Sequence, residues 1–282
     1  MTYLILCILF TFSLGLLFRL FPRQLKMSNV IMVNYVVCGL TGFLSSGESS
    51  FWLQGPLPGI AVLMGSLFIL GFNIFGNSVV TNGLGISTAV QKISLSLTVP
   101  AALVLGEKLS GLQWLGLALA FPAIWFLVIE KEETARDKKN SWLLAAILLV
   151  AAVIEIAFMV LNKNAETIAI DSLSLTGLIF SGAGILSVAA GLINGNALKI
   201  RFSEILAGIC LGLPNFFSIY FLNKSLAGGL PGSLVFPLLN CSVIILSLLA
   251  GVFAFGEKLS PHKKAGLALA VISILLIGFY AV

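Results

Sequence analysis

Two ionisable side chains lie deep inside apolar stretches of the sequence, where they could recognise an ion or a solute. Lys92 lies eight residues inside one stretch, and Glu155 lies about fourteen residues inside another. A charge at bilayer depth is costly, so by default it marks a transport pathway or an ion pair. Every other Lys, Arg, Asp and Glu is nearer to a polar connection. These two residues are therefore the first candidates for chemistry.

The surroundings of Lys92 are polar along one side. Thr88 and Ser96 lie one helical turn away in either direction, and Gln91 is its neighbour in the sequence. Three interpretations stay open. The ammonium group meets a carboxylate or phosphate of a substrate in a central cavity, it forms a structural ion pair with Glu155, or it extends towards the membrane surface.

Glu155 is the candidate proton-coupling residue. A carboxylate that is held away from water can pick up a proton and exchange it for substrate. The alternatives are a pair with Lys92 and a hydrogen bond that packs two helices. These interpretations are compatible, because a substrate can compete with Glu155 for Lys92.

Amide and aromatic side chains in other apolar stretches are weaker candidates. Asn73 and Asn77 lie one turn apart, Asn215 follows a proline, and Asn223 and Asn240 are further amides of this kind. Buried amides need partners, so they either join helices or line a polar cavity. The candidate solute-binding residues are Lys92, Gln91, Ser96, Asn73, Asn77, Asn215, Tyr220 and Asn34.

The composition requires a lipid environment for the elements that carry these residues. Hydrophobic residues make up 59% of the 282 residues and charged residues 10%, against roughly 25% charged residues in a soluble domain. An integral membrane protein is therefore predicted. The net charge of +5 gathers between apolar stretches, which fits contact with lipid headgroups. We expect a lipid bilayer and a small-molecule substrate as partners, and no nucleic acid.

The sequence offers little to an enzyme or a metal centre. Its one histidine, His262, lies beside a predicted membrane edge, and its four cysteines are far apart without a C-x-x-C pair. The phosphate-binding loop G-x-x-x-x-G-K-[ST] does not occur, so direct drive by ATP is not expected. We expect no catalytic residues, no metal and no cofactor.

Ten stretches qualify or nearly qualify as bilayer-spanning helices, which need roughly 20 mostly apolar residues. They are Thr2–Phe18, Ser28–Ser45, Leu57–Val80, Leu84–Leu105, Leu109–Ile129, Ser141–Leu161, Leu173–Ile193, Ser203–Leu222, Gly232–Phe255 and Lys264–Val282. The first stretch lacks the basic leader and the cleavage pattern of a signal peptide, so we expect a retained membrane helix.

One pentapeptide occurs twice and indicates a duplication. GEKLS begins at Gly106 and again at Gly256, and GLALA follows each copy at the same spacing, with an offset of 150 residues. Glycine suits the left-handed end of one helix, and Ser110 and Ser260 suit the start of the next. The motif is predicted to be a stop–start hairpin that Glu107 and its copy anchor at the headgroups. A role for these charges as gate contacts or coupling carboxylates stays open.

The pattern Pro-x(6)-Gly-Glu-Lys-Leu-Ser-x(5)-Gly, from Pro100 to Gly116, resembles the closing signature of EamA-type repeats in the drug/metabolite transporter superfamily. The second copy keeps GEKLS and Gly266 but has Ala250 in place of the proline. With the duplication and the ten spans, the resemblance covers the whole chain. It implies a ten-helix inverted-repeat carrier of small metabolites, often amino acids, that works by exchange or proton coupling.

The odd number of spans in each copy determines the predicted architecture. The most charged run, residues 130–140, separates five spans from five more. A second unit of five spans enters from the opposite face, which gives inverted repeats with a substrate site near the midplane. We predict a first EamA-type five-helix repeat at residues 1–129, a charged linker at 130–140 and a second EamA-type five-helix repeat at 141–282.

The orientation in the membrane receives two answers. Twelve Lys and Arg fall in the connections on one face and three, Lys108, Lys163 and Lys224, on the other. The positive-inside rule places the twelve in the cytoplasm and both termini outside. The resemblance implies cytoplasmic termini instead, and the two answers remain alternatives.

The combined prediction is an all-α secondary active transporter, an exporter or exchanger, of small polar metabolites such as amino acids by alternating access. The alternative is a flippase for a lipid-linked substrate or a non-transporting membrane scaffold. We expect a multi-pass protein of the cell membrane, in a bacterium the inner membrane, as a monomer or homodimer.

Overall fold

The computed structural model describes residues 1–282 apart from 23, 46–54, 83–86, 88–89, 129–140, 169, 194–198, 257–259 and 279–282. Ten helices of at least ten residues and one of four residues occur within the described part. They are α1 (Thr2–Leu20), α2 (Met27–Ser45), α3 (Leu57–Asn82), α4 (Leu95–Val104), α5 (Gly111–Val128), α6 (Ser141–Lys163), α7 (Ala165–Ile168), α8 (Ser172–Ile193), α9 (Phe202–Ala227), α10 (Gly232–Phe255) and α11 (Pro261–Gly278).

The long apolar helices confirm the prediction of an all-α, multi-pass membrane protein. Within the described ranges, six helices are long and apolar enough to cross a bilayer, namely α2, α3, α6, α8, α9 and α10. Shorter apolar segments lie at the first, fourth and fifth predicted spans, namely Thr2–Phe18, Val90–Val104 and Gly111–Phe126. The predicted linker at 130–140 and Thr88 lie outside the described residues.

The predicted fourth span is not one continuous helix. Leu84–Leu105 was predicted as a single span, but the backbone forms a turn at Ile93 and Ser94, and α4 begins at Leu95. The backbone N–H of Ser96 donates to the carbonyl of Ile93, three residues back, at 2.8 Å. Such tight turns mark a hinge or a strained segment inside a helix. The apolar count missed the break because the turn contains no glycine or proline.

The predicted eighth span, Ser203–Leu222, is too short. Helix α9 continues to Ala227, because the polar side chains that suggested an end have partners inside the protein. Nδ2 of Asn223 donates to Oγ1 of Thr176 at 2.9 Å, and Oγ of Ser225 donates to a carbonyl four residues back at 2.7 Å. Polar residues that are satisfied internally do not require a helix to end.

The chain divides into two compact units, and each takes residues from both halves of the sequence. The first unit comprises Met1–Ile69 and Leu161–Gly228, and the second comprises Leu70–Val160 and Gly229–Val282. These packing units therefore differ from the two predicted repeats, which follow the duplication in the sequence.

Close backbone contact organises the first unit. Helix α2 packs against α8 and α9, and α9 also packs against α1 and α8. A Cβ atom at Gly42 of α2 would collide with the backbone of Gly177 in α8. Lipid tails are as apolar as leucine, so helices in a bilayer associate through such small residues and through polar contacts.

A buried carboxylate joins the starts of α2 and α9. Glu204 is only 2% exposed. Its Oε2 accepts bonds from Nδ2 of Asn29 at 2.7 Å and from the backbone N–H of Arg201 at 3.0 Å. Its Oε1 accepts the backbone N–H of Lys26 at 3.1 Å. A carboxylate in the first turn also meets the positive end of the helix dipole, so Glu204 has a structural role.

In the second unit, α10 packs against α4, α5 and α11, and α5 and α11 pack closely on each other. Oγ of Ser273 in α11 donates to the carbonyl of Gly116 in α5 at 2.7 Å. A side chain at Gly116 would collide with Ile277, so this glycine allows the two helices to approach. Gly116 is the first residue of the GLALA sequence that follows GEKLS.

The first GEKLS copy forms the predicted stop–start hairpin. Gly106 has a φ of 92°, which favours glycine, and Ser110 and Gln113 form a capping box. The N–H of Gln113 donates to Oγ of Ser110 at 3.3 Å, and the N–H of Ser110 donates to Oε1 of Gln113 at 2.8 Å. Gly256 ends α10 with a φ of 66°, and residues 257–259 of the second copy lie outside the described residues.

Candidate functional site

The two buried charges predicted from the sequence belong to one polar network in the second unit. Nζ of Lys92, just before the turn that precedes α4, donates to Oδ1 of Asn240 in α10 at 2.8 Å. Asn240 is 3% exposed, and its Nδ2 donates to Oε1 of Glu155 in α6 at 3.4 Å. One amide therefore bridges the cation and the carboxylate, using its oxygen for the first and its NH₂ group for the second.

The other carboxylate oxygen of Glu155 is held by two hydroxyl groups. Its Oε2 accepts bonds from Oγ1 of Thr98 at 2.5 Å and from Oγ of Ser94 at 3.1 Å. Both of these hydroxyl-bearing residues are fully buried. A carboxylate away from water needs such partners, because an unpaired buried charge costs several kcal/mol. Three helical segments thus meet at Glu155.

The charges of Lys92 and Glu155 balance each other, and the amide of Asn240 is the group between them that a solute could replace. With both groups ionised it carries one positive and one negative charge, and an amide separates them. A solute that offers an acceptor to Lys92 and a donor to Glu155 can replace the bridge of Asn240 without leaving either charge unpaired. Addition of a proton to Glu155 would instead remove the negative charge that balances Lys92.

Four other predicted residues of the second unit are less buried than Asn240. Gln91 is half-buried, and Ser96, Asn73 and Asn77 are exposed. Ser96 lies two residues from Thr98, and helical residues two apart point to different sides. Their proposed contact with a solute stays a prediction.

Two predicted amides of the first unit bind each other. Nδ2 of Asn215 in α9 donates to Oδ1 of Asn34 in α2 at 3.2 Å. Cys38, one turn after Asn34, donates its thiol to the carbonyl of Gly212 in α9 at 3.1 Å. Asn34 is 1% exposed. These contacts favour the interpretation that the two amides join helices.

Tyr220 lines a cavity of about 470 Å³ in the first unit, where α8 begins and α9 ends. The polar part of its wall consists of Asn162, Asp171, Ser172, Tyr220 and Lys224. The volume lies within the roughly 300–1,000 Å³ of ordinary small-molecule sites. We name this space the α8/α9 cavity.

Lys224 is held in the wall of the α8/α9 cavity by two aromatic rings. Its Nζ lies 5.2 Å from the ring centroid of Tyr3 and 5.6 Å from that of Tyr220. Contacts of this kind contribute about 0.5–2 kcal/mol. From the sequence, Lys224 was predicted only to be a charged residue in a connection between spans. The spacing of four residues from Tyr220, which puts both side chains on one helical face, was the available signal.

Asp171 supplies a negative charge to the same wall. Its Oδ1 accepts the backbone N–H groups of Leu173 at 2.8 Å and Ser174 at 3.2 Å, at the start of α8. Partial burial raises the pKa of Asp171, but hydrogen bonds from Ser174 and Leu173 outweigh this effect and hold the pKa below its usual 3.8. The exposed side chain is therefore ionised at neutral pH.

A chain of hydrogen bonds continues from the cavity wall into the core. Nδ2 of Asn162 donates to Oδ1 of Asn223 at 2.8 Å, and Nδ2 of Asn223 donates to Oγ1 of Thr176. Oγ1 of Thr176 then donates to the carbonyl of Ser172, which belongs to the cavity wall, at 2.7 Å. This chain fixes the start of α8 against α9 and so fixes the shape of the cavity.

Glu107 of the first GEKLS copy caps another helix. Its Oε1 accepts the backbone N–H of Gly232 at 2.7 Å, and its Oε2 accepts that of Ser233 at 2.8 Å. Both donors lie in the first turn of α10, where backbone N–H groups lack helical partners and a negative charge is stabilising. These bonds favour the anchoring interpretation of Glu107.

Two bacterial proteins are similar to this chain in sequence. No family model matches the chain. An uncharacterized protein of Haemophilus influenzae is 28% identical over 221 residues, which cover 76% of this chain and 72% of the relative. The glucose uptake protein GlcU of Staphylococcus xylosus is 26% identical over 238 residues, which cover 79% of this chain and 76% of that protein.

A solved crystal structure shares the fold of the whole chain. It has a TM-score of 0.80 and 16% sequence identity, and it covers 99% of this chain and 96% of its own. At this identity the similarity shows the fold alone. The chain is thus similar in sequence to a protein named for glucose uptake, and the EamA-type assignment stays a prediction.

Proposed function

We propose that the chain is a secondary transporter of small polar solutes that works by alternating access. The observation that carries the proposal is the network of Lys92, Asn240 and Glu155, which places two ionisable groups among apolar helices. Ionisable residues inside a membrane protein are expensive and usually serve solute or proton pathways. The similarity to a glucose uptake protein supports the same function.

The break in the fourth predicted span supports this location for the solute site. The turn at Ile93 and Ser94 directly follows Lys92, and Ser94 itself binds Glu155. Many carriers bind solutes where a membrane helix is discontinuous, because freed backbone groups there can face the solute. A segment with few regular helical bonds also changes conformation more easily than a continuous helix.

The proposed architecture is a pair of inverted EamA-type repeats at residues 1–129 and 141–282. The two GEKLS copies and the odd number of spans in each half support it. The two relatives come from bacteria, which supports a bacterial cell membrane as the location.

The charge balance of the network favours a neutral polar solute. An anionic solute at Lys92 is repelled by the carboxylate of Glu155. A hydroxyl-rich solute can instead accept a hydrogen bond from Lys92 and donate one to Glu155 at the same time. A monosaccharide has this chemistry, and one relative is named for glucose uptake. Amino acids are the second candidate class, since their carboxylate can bind Lys92 when Glu155 carries a proton.

Counterflow in proteoliposomes tests the proposal. Proteoliposomes that contain the purified chain are loaded with unlabelled D-glucose, D-ribose, L-alanine or L-leucine, and uptake of the same solute in labelled form is measured. We expect counterflow of at least one solute, and loss of about 100-fold or more with Lys92→Met, since this variant removes the only cation of the network. Glu155→Gln should retain exchange but lose its dependence on a proton gradient.

Glu204→Gln is the matched control, because it changes a second buried carboxylate that holds two helix starts together. It should retain counterflow. Absence of flux for every solute in the panel would contradict the proposal. Movement of a labelled lipid without solute flux would favour a flippase, and absence of both would favour a membrane scaffold.

A further inference from the structure

The α8/α9 cavity holds a cation and an anion that the Lys92 network does not use. Lys224 comes from the end of α9, and Asp171 comes from the connection before α8. The two residues belong to the first unit, whereas Lys92, Asn240 and Glu155 belong to the second. The cavity therefore requires an explanation of its own.

Each charge of the cavity has local contacts of its own. The rings of Tyr3 and Tyr220 fix the ammonium group of Lys224. The first turn of α8 fixes the carboxylate of Asp171 through its Oδ1. Opposite charges that are each held in place on one wall are preorganised, and a ligand that meets both loses little free energy in ordering them.

The rest of the wall limits the chemistry of the ligand. Ser172 and Asn162 add neutral polar groups, and Ile170 and Leu175 make part of the wall apolar. The ring of Tyr220 already has two neighbours, since Phe216 stacks on it with centroids 6.5 Å apart and Lys224 lies over it. The two charges are therefore the strongest recognition groups of the wall.

We propose that the α8/α9 cavity is a binding site for a small zwitterion, in which Lys224 binds the anionic group and Asp171 binds the ammonium group. An α-amino acid with an apolar side chain has this chemistry. The ethanolamine headgroup of a phospholipid offers the same two charges. The site is separate from the proposed transport network, and its occupation does not depend on the transport cycle.

Equilibrium binding to the purified full-length chain tests the proposal. The chain is placed in nanodiscs of phosphatidylglycerol, whose headgroup is not a zwitterion. The probes are L-leucine, 4-methylvalerate, which lacks the ammonium group, isopentylamine, which lacks the carboxylate, and D-glucose. We expect L-leucine to bind more tightly than either single-charge probe, because only leucine meets both charges of the wall.

Two variants separate the roles of the charges. Lys224→Met should weaken L-leucine and 4-methylvalerate by about tenfold or more, and Lys224→Arg should restore most of this loss. Asp171→Asn should weaken L-leucine and isopentylamine by a similar factor but leave 4-methylvalerate unchanged or tighter. Asparagine is also a good N-cap, so this variant preserves the start of α8. Lys163→Met, an exposed lysine outside the cavity wall, is the control and should leave all four probes unchanged.

A second arm distinguishes the two sources of the zwitterion. In nanodiscs of phosphatidylethanolamine, weaker leucine binding together with lipid that is retained by the wild type but not by Lys224→Met identifies the headgroup as the ligand. Unchanged leucine binding identifies the free amino acid. The proposal would be overturned if both charge variants bound L-leucine and phosphatidylethanolamine as tightly as the wild type does. It would also be overturned if the wild type bound neither ligand.

The outcome is independent of the proposed transport function. Lys92→Met should abolish counterflow and leave the binding pattern of the four probes intact. Counterflow that fails in the wild type while the binding pattern holds would contradict the transport proposal alone. Counterflow that persists while the charge variants bind like the wild type would contradict the zwitterion site alone.

Discussion

The two units place a lysine and an acidic residue in opposite situations. In the second unit, Asn240 bridges Lys92 to Glu155, and further buried hydroxyl groups satisfy the carboxylate. In the first unit, Lys224 and Asp171 are fixed by separate local contacts and both line a cavity. A ligand must replace an existing bond to enter the network, whereas the cavity already offers open space beside its two charges.

This difference predicts which substitutions affect the stability of the fold and which affect only ligand binding. Charges in apolar surroundings depend on one another, because each would be uncompensated without its partner. Charges on a cavity wall keep their local contacts and access to water, so each can be changed alone. Removal of one charge from the network should therefore affect folding, and substitutions in the cavity should affect binding with little change in folding.

The largest effect is expected from Lys92→Met. This change leaves Glu155 without its cation, and breaking a buried pair in this way costs about 3–5 kcal/mol. The double variant Lys92→Met/Glu155→Gln should recover most of the lost stability but no transport, because it removes both charges. Thermal unfolding of the purified variants in detergent measures the first effect, and counterflow measures the second.

Lys224→Met provides the matching change in the cavity. Its loss of stability should stay below about 1 kcal/mol, because the methionine keeps the apolar stem and leaves no buried charge. Equal losses of stability for Lys92→Met and Lys224→Met would contradict the distinction between the network and the cavity.

An effect between those of Lys92→Met and Lys224→Met is expected from Glu204→Gln, which compares a structural carboxylate with a functional one. Glu204 accepts bonds from Asn29, Arg201 and Lys26 at the starts of two helices. Glutamine offers only one acceptor oxygen, so at least one charge-assisted bond is lost, at about 1.5–3 kcal/mol. The thermal unfolding temperature should fall while counterflow remains.

Glu155→Gln should differ from Glu204→Gln in its response to a proton gradient. Glu155→Gln should leave exchange intact but remove its response to a proton gradient, which can be measured as uptake with and without an imposed pH difference. If the response to a proton gradient survives Glu155→Gln or disappears with Glu204→Gln, the proposed coupling role of Glu155 is wrong.

Much of the fold could be predicted from the sequence because lipid imposes a simple requirement. Long apolar stretches predicted a multi-pass helical protein, and the glycine and serine positions of the first GEKLS copy predicted its hairpin. Both signals are local. The depth of Lys92 and Glu155 in apolar stretches likewise identified the two charges that the network joins.

The contacts that complete each site could not be predicted, since they depend on packing between distant segments. Asn240 was one amide among several until α10 placed it between two charges. The turn before α4 carries no glycine or proline to announce it. Asp171 and Lys224 are 53 positions apart in the sequence, and only the packing of α8 on α9 brings them to one cavity.

A modest effect is expected from Tyr3→Leu, which tests how the cavity holds its cation. Leucine keeps apolar bulk beside Phe221, whose ring stacks on that of Tyr3 with centroids 6.2 Å apart. It removes one of the two rings over which Lys224 lies, a contact of about 0.5–1 kcal/mol. Binding of L-leucine should weaken by about two- to fivefold. Tyr3→Phe keeps a ring and should bind like the wild type, so a loss with both variants would point to the hydroxyl group instead.

The smallest effect is expected from the ionisation of Asp171. Hydrogen bonds from the start of α8 hold its pKa below 3.8, so the ionised form is favoured in the folded state. The resulting stabilisation is present in full above the pKa of the unfolded chain and is lost as the pH falls through the lowered pKa of the folded chain. Because the group is exposed and screened, the effect should be about 0.5 kcal/mol or less. The wild type should therefore unfold at a slightly higher temperature than Asp171→Asn at pH 7, and this difference should decrease as the pH falls through the lowered pKa of the folded chain. A difference that grows as the pH falls would mean that the carboxylate is stabilised in its protonated form, and it would remove the anion from the proposed zwitterion site.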